Sequence, residues 1–274
     1  MILLVASRKD VAGLNIAKHV LRNYPFIKTS EAFQGTPVFS ADVNGKKVSL
    51  IMLKEESINA QHLPDSFTNL RLIVFISRHS SASGTPTLSV HTPGNFGAAD
   101  LGGLPKQVSV SPATAMRDAL KALAYFKESL KLEYEVSYEG THHGPSLDVP
   151  TMFVELGSSA EQWRDSKAAE AVAHAAMSAI GKFGASAKTA VLGIGGTHYN
   201  RRFTRMALDG EAVFGHMIPK YAVPSVDAEM LRQCVEKTLE KVDGAVLDWK
   251  GIKSVDKPQL LKALEQVGLP YKKI

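Results

Sequence analysis

The stretch "RLIVFISRHSSASGTPTLSVHT", residues 71–92, decides how the chain is read. Leu72 to Ile76 form a continuous apolar run of strand length, the pattern of a strand buried on both faces. A turn-forming segment rich in serine and glycine follows, and a second strand-like run, 87–92, carries His91 near its end. Upstream, 2–7 reads as a strand and 10–24 as a helix with Ala, Leu, Ile and Val at helical spacing. Residues 36–53 are two β-rich runs around Asn44-Gly45, a hairpin signal. Downstream, 112–129 has helical periodicity behind Ser111 as N-cap, and 160–180 reads as the longest helix, with further helices over 227–242 and 257–268. Strands are expected at 134–139, 149–156, 188–196, 211–218 and 244–249. This alternation predicts an α/β three-layer sandwich with a mixed, mostly parallel central sheet and one antiparallel hairpin region, residues 1–274 forming a single domain.

The 274 residues are 45% hydrophobic and 22% charged, the composition of an ordinary soluble globular protein. No apolar run reaches the roughly 18 residues needed to span a bilayer. The N-terminus reads as a first buried strand and not as a signal peptide. The single cysteine, Cys234, excludes an intramolecular disulfide framework and makes the cytoplasm the default location. A formal net charge of +5 favours an anionic partner such as RNA. The basic residues are nevertheless spread out, with small groups only at 200–205 and 271–274.

Ligands bind beyond the carboxyl ends of strands in open α/β sheets. Four strand exits carry histidine- or glycine-rich loops, 77–86, 91–97, 140–145 and 193–199, and are expected to line one cleft. Familiar templates are missing. In "GIGGTH" the position where a dinucleotide fingerprint requires its last glycine is His198. Gly181-Lys182 is followed by Phe183, so no phosphate loop of the Gly-Lys-Ser/Thr type is present, and neither Gly-x-Ser-x-Gly nor His-Glu-x-x-His occurs. Cys234 lies among helical apolar residues and reads as a core thiol.

Imidazoles and carboxylates remain. Zinc takes neutral histidine nitrogens and carboxylate oxygens from separate loops. His91, His142, His143, His198 and Glu155 could supply such a set, although loop histidines also commonly bond backbone carbonyls. Glu155 closes the strand "TMFVEL" on the same face as Phe153, and such an acid either reaches past the strand end or is buried with a partner. The loop 77–87 offers Arg78, His79 and Ser80 for phosphate or sugar hydroxyls. His19 and His174 read as surface or packing residues on helices.

In order, "SRHSSASGTPTLSVHTPGNFG" (77–97), "YEGTHHGPSLDVPTMFVELGSS" (138–159) and "GIGGTHY" (193–199) resemble the archaeal and plant type of D-aminoacyl-tRNA deacylase. The resemblance extends to the N-terminal "ILLVASRKDVAGLNI" and implies a fold similar to the peptidyl-tRNA hydrolase and purine nucleoside phosphorylase group. It also implies hydrolysis of the ester between a D-amino acid and the 3′-terminal ribose of tRNA, and a zinc requirement. On the matching motifs, His142, His143 and Glu155 become the candidate catalytic residues. Arg78, His79, Ser80, Gly94, Asn95, Phe96, Gly195, Gly196 and Thr197 become candidates for substrate binding. The N–H groups of "GIGG" are possible oxyanion donors, and the glycine-rich walls would exclude L-side chains. Arg201, Arg202, Lys220 and the C-terminal lysines are candidates for tRNA phosphates. Neither a membrane nor an obligate protein partner is called for. A nucleoside phosphorylase on the same scaffold, with "SRHSS" binding phosphate, and a non-enzymatic RNA-binding protein are the alternatives.

Overall fold

Two sheets, not one, organise the chain in the computed structural model, which describes residues 1–185 and 189–274. Lys188, the first residue of the strand expected at 188–196, lies outside the described residues. Along the first half run β1 (Ile2–Ser7), α1 (Val11–Asn23), β2 (Ile27–Phe33), β3 (Thr36–Val43), β4 (Lys46–Leu53), α2 (Leu63–Ser66) and β5 (Leu72–Arg78). Next come β6 (Thr87–His91), β7 (Gly94–Asn95), β8 (Gln107–Val108), α3 (Ala113–Ser129), β9 (Glu135–Tyr138), β10 (Thr151–Gly157) and α4 (Ser166–Lys182). The larger sheet has the order β2-β3-β4-β1-β5-β10-β6-β9, and β7 pairs with β8 in a small ribbon. Strands β4, β1, β5 and β10 are parallel, β2–β3–β4 is an antiparallel meander, and β6 turns antiparallel against β10 while β9 runs parallel to β6.

β1 is buried throughout and β5 up to Arg78, as their continuous apolar runs demand of strands at the centre of a sheet. α1, α3 and α4 cover one face; α4 packs with a stripe of buried alanines, which lets helix and sheet approach closely. Leu63 of α2 and Leu147 from a loop close the other face over Phe75 and Phe153, whose rings stack at 4.6 Å.

The second half supplies β11 (Ala190–Gly195), α5 (Arg201–Asp209), β12 (Phe214–Ile218), α6 (Ala228–Glu236), β13 (Val242–Asp248), α7 (Lys257–Gln266) and β14 (Tyr271–Lys273). The four strands form an all-parallel sheet in the order β12-β11-β13-β14. α6 and α7 cover one face, and Phe203 and Met206 of α5 pack on the other, Phe203 meeting Phe214 at 4.7 Å. The α/β class and the mixed, mostly parallel sheet are as expected, with this second sheet added. Among the described residues no helix is long and apolar enough to cross a membrane.

Three boundaries differ from expectation for local reasons. Ser111 does not cap α3: it bridges to Thr238, and its hydroxyl has no partner. The Glu240 carboxylate caps instead, accepting from the N–H groups of Ala113 and Thr114 at 2.9 Å each. That same bridge draws Thr238 out of helix, so α6 stops at Glu236 and not at 242. α4 begins only at Ser166, where Asp165 accepts from Lys167 and Ala168; Gln162–Arg164 is a separate 3-10 turn.

Candidate active site

Register across β5, β10 and β6 sets the floor of the site. Phe75, Phe153 and His91 lie in one row, and Ser77, Glu155 and Ser89 in the row two residues on. Alternation puts Phe153, Glu155 and His91 on one face. Glu155 is buried there, not solvated: Ser77 donates to its Oε1 at 2.7 Å, and Nε2 of His91 lies 3.4 Å from its Oε2. Asp10, the N-cap of α1, steadies the exit of β5. Its carboxylate accepts from Gly13 at 3.0 Å and from the N–H of Arg78 at 2.7 Å, and burial pushes its pKa up to about 6. His79 then folds back, its Nδ1 lying 3.2 Å from Oε1 of Glu139 and 3.5 Å from Oε2 of Glu155, while its Nε2 meets the Tyr199 hydroxyl.

Glu139, fully buried at the end of β9, is the hub that the sequence reading missed. Its Oε2 accepts from Nε2 of His198 at 2.8 Å and lies 3.6 Å from Nε2 of His142. The chain beyond it is fixed from behind: the Thr141 N–H donates to the Met217 carbonyl at 2.7 Å, and the Thr141 hydroxyl accepts from the Met217 N–H and meets the buried His216 ring at 3.3 Å. His142 and His143 each direct Nδ1 at a backbone carbonyl, that of Gly140 at 2.8 Å and of Gly144 at 2.7 Å. Each Nδ1 therefore carries the proton, which leaves Nε2 with its lone pair free. His198 is held the other way round, with Nε2–H on Glu139 and Nδ1 3.1 Å from the Tyr221 hydroxyl.

Burial and the neighbouring imidazoles His143 and His91 hold the His142 pKa well below its usual value; burial and His91 bring that of His143 down to about 4. Both rings are neutral at pH 7. Burial also opposes charge on His79, but Glu139 and Glu155 outweigh it and push its pKa up to about 11. His91 is likewise raised against burial by Glu155 and Glu139. Glu155 falls to about 2 and Glu139 well below the carboxylate range, both against burial, because His79 and the other imidazoles surround them. Two buried carboxylates thus face the imidazolium of His79 and a His91 ring whose charged form they favour, negative charge that a divalent cation would also balance. Three groups present metal-ligand atoms within 4.8 Å of one another: His91, His142 and His143; Glu139, His142 and His198; and His79, Glu139 and Glu155. Free Nε2 lone pairs, backbone carbonyls behind them and two buried carboxylates beside them fit a metal centre.

A cleft of about 410 Å³ opens above this floor, with Arg78, Ser80, His79, His198 and Tyr199 on its walls. Arg78 is held at the mouth by Glu56 at 3.2 Å and by the Lys9 carbonyl at 3.2 Å. The structure thus gathers His79, His91, His142, His143, His198 and Glu155 into one network, with Arg78 and Ser80 beside it. The other candidates lie elsewhere. Gly94 is a backbone contact: a Cβ there would sit 2.6 Å from Cα of Val108, and its N–H donates to the carbonyl of His143 at 2.7 Å. Asn95 ties the 97–106 loop through the carbonyls of Gly102 and Leu104, and Phe96 is buried in the core of the smaller sheet. Gly196 and Thr197 line a separate concavity with Arg202, Lys220 and Asp248, and Gly195, Gly196 and Thr197 are not among the residues that line the cleft. The Gly196 N–H donates to the carbonyl of Gly251 at 3.3 Å, so it is not free for an oxyanion. Among the described residues, the side chains around the cleft include Asp10, Glu56, Arg78, His79, Ser80, Tyr199 and further imidazoles, with no glycine beside them.

The profile of the D-aminoacyl-tRNA deacylase family matches residues 66–272. A D-aminoacyl-tRNA deacylase of Thermococcus kodakarensis is 35% identical over 277 residues, covering 99% of each chain. One of Ignicoccus hospitalis is 38% identical over 238 residues, 84% of this chain and 95% of its own. The crystal structure of a conserved protein of unknown function superposes with a TM-score of 0.88 at 32% identity, covering 100% of this chain and 95% of that one. The chain belongs to the D-aminoacyl-tRNA deacylase family.

Proposed function

We propose that the protein hydrolyses the ester linking a D-amino acid to the 3′-terminal ribose of tRNA, with zinc as its metal, in the cytoplasm. The observation that carries this reading is the network of five imidazoles around two buried carboxylates that lines one cleft. His91, His142 and His143 would hold the metal, with Glu155 or Glu139 beside them. Bound there, zinc would polarise the ester carbonyl and make a water acidic enough to serve as nucleophile near neutral pH. The protein's own groups do the rest. The backbone carbonyls behind His142 and His143 fix their tautomers. Glu139 orients His79 and His198. His198, on the cleft wall with Nε2–H held on Glu139, takes the proton of the attacking water at Nδ1 and hands it to the departing ribose oxygen. Arg78 and Ser80 at the mouth bind the terminal ribose and its phosphate. We also take residues 1–274 as one unit, since a single apolar cluster runs from Val154 of the larger sheet to Phe214 of the smaller. The nucleoside phosphorylase alternative loses support, because His79 already pairs with two buried carboxylates that would repel phosphate.

The test is hydrolysis of D-tyrosyl-tRNA and L-tyrosyl-tRNA by the purified protein, with and without chelator. Selective release of D-tyrosine that chelator abolishes is expected. Cleavage of neither ester above background overturns the activity, and chelator-resistant cleavage overturns the metal.

A further inference from the structure

All four strands of the smaller sheet are parallel, so their carboxyl ends lie along one edge, and that edge is basic. β11 leads through His198 into the arginines of α5, and β12 leads to Lys220 and Tyr221. The Lys220 N–H donates to the carbonyl of Gly196 at 2.9 Å, which holds the two exits side by side. Two shallow concavities follow one another away from His198. The first, about 210 Å³, lies between Thr197, Arg202, Lys220 and Asp248; the second, about 420 Å³, lies between Arg202, Arg205, Lys272 and Glu211. Arg202 belongs to both, so the surface is continuous.

Asp248 pairs with Arg202 at 3.2 Å and Glu135 with Arg201 at 2.9 Å. Among the described residues, Lys220, Arg205 and Lys272 have no acidic group within ion-pair distance and face solvent. Tyr221 stands where this strip meets the catalytic cleft. It is 56% exposed, yet its hydroxyl is anchored on Nδ1 of His198 and its ring stacks on that imidazole at 6.2 Å. A fixed aromatic ring with an open face, followed by unpaired cations, is the arrangement that binds unpaired nucleotides by stacking and their phosphates by charge.

We infer that this edge docks the RNA of the substrate: the single-stranded 3′ end lies against Tyr221, and the phosphates behind it follow Lys220, Arg202, Arg205 and Lys272. The inference rests on the ester-hydrolase reading, to which it adds the path of the RNA. The larger sheet thus carries the metal site, and the smaller one His198 and the basic strip.

The probe is uncharged tRNA, its binding followed by fluorescence anisotropy over a series of salt concentrations, beside the KM for D-tyrosyl-tRNA. The combined variant Lys220→Glu/Arg205→Glu/Lys272→Glu is compared with Lys18→Glu/Lys28→Glu/Lys47→Glu, which makes the same charge change on α1, β2 and β4. The edge variant should bind at least about tenfold more weakly, with the salt slope lowered by about one per cation removed, and its KM should rise; the control should stay near wild type. If the combined variant does not fold, Lys220→Ala alone should lower the slope by about one. Equal binding by the two combined variants, or an unaltered slope in Lys220→Ala, overturns the surface. Hydrolysis of D-tyrosyl-tRNA with unchanged KM in the edge variant overturns the surface and leaves the activity standing. Binding that depends on these cations, in a protein that cleaves neither ester, supports the surface and overturns the activity.

Discussion

Nδ1 of His79 lies 3.2 Å from Oε1 of Glu139, a buried pair that ties the exit of β5 to the exit of β9. Glu139 also receives His198, so one carboxylate orients two imidazoles. Glu139→Gln keeps the size of the side chain and removes its charge. Losing one partner of a buried charge pair costs about 3–5 kcal/mol, and losing an outer partner of a metal site costs about 10–100-fold in affinity or activity. Urea unfolding and deacylation of D-tyrosyl-tRNA should both show the loss. A variant with wild-type activity and midpoint would remove Glu139 from the role of hub.

Metal uptake should release protons. At neutral pH the metal-free site holds an imidazolium on His79, and Glu155 and Glu139 raise the His91 pKa above its usual value. A divalent cation replaces imidazolium charge, so protons should leave as zinc binds. Calorimetric titration of stripped protein with zinc in buffers of different ionisation enthalpy reads the number directly. Release of none would mean that the imidazolium charges survive binding. His142→Ala and His143→Ala should each weaken uptake, and full uptake in both would exclude the pair as ligands.

Stripped protein should lose stability as pH falls below neutrality. Burial lowers the His216 pKa to about 4, and burial with His91 does the same to His143. Unfolded histidine titrates near 6.5. Between about 6.5 and 4 the unfolded chain therefore binds more protons than the folded one, and unfolding free energy drops with pH. Each group contributes up to roughly 3 kcal/mol over that window. The raised pKa of His79 acts in another window, its contribution fading as pH rises from 6.5 toward 11. Urea midpoints at pH 7 and pH 5 test this. His216→Gln should flatten the acid slope, and an unchanged slope would mean that His216 is protonated in the fold.

How far the sequence could be read depended on whether the deciding contact was local. β1 and β5 were visible because a central parallel strand is apolar along its length, and the β3–β4 hairpin because Asn44-Gly45 carries its own turn geometry. α5 was hidden: it buries only Phe203, Thr204, Met206 and Ala207 and otherwise looks like a charged loop. The histidines were found because few surfaces need so many. Glu139 was not, since an acid ending a short strand resembles a solvated one. The β5 exit through His79 and the β11 exit, which reaches it through the Gly140 N–H on the His198 carbonyl at 2.8 Å, enclose it from distant parts of the chain. Glycine is ambiguous for the same reason. Gly94 looked like a ligand wall, but what comes close is the backbone of Val108.

The capping of α3 is a case where local pattern and tertiary contact compete. Ser111 stands where an N-cap is expected, yet its hydroxyl has no partner, and Glu240 accepts from both free N–H groups at 2.9 Å. A carboxylate at a helix N-terminus meets the positive end of the dipole as well as the orphan donors. Glu240→Ala should therefore cost about 1–2 kcal/mol, the range of a lost cap, with no change in deacylation beyond the loss of folded protein. Ser111→Ala removes a hydroxyl that bonds nothing and should leave the midpoint within about 0.5 kcal/mol of wild type. Urea unfolding of the two variants decides between the caps: the larger loss in Ser111→Ala would return the role to serine and make the Glu240 contact incidental.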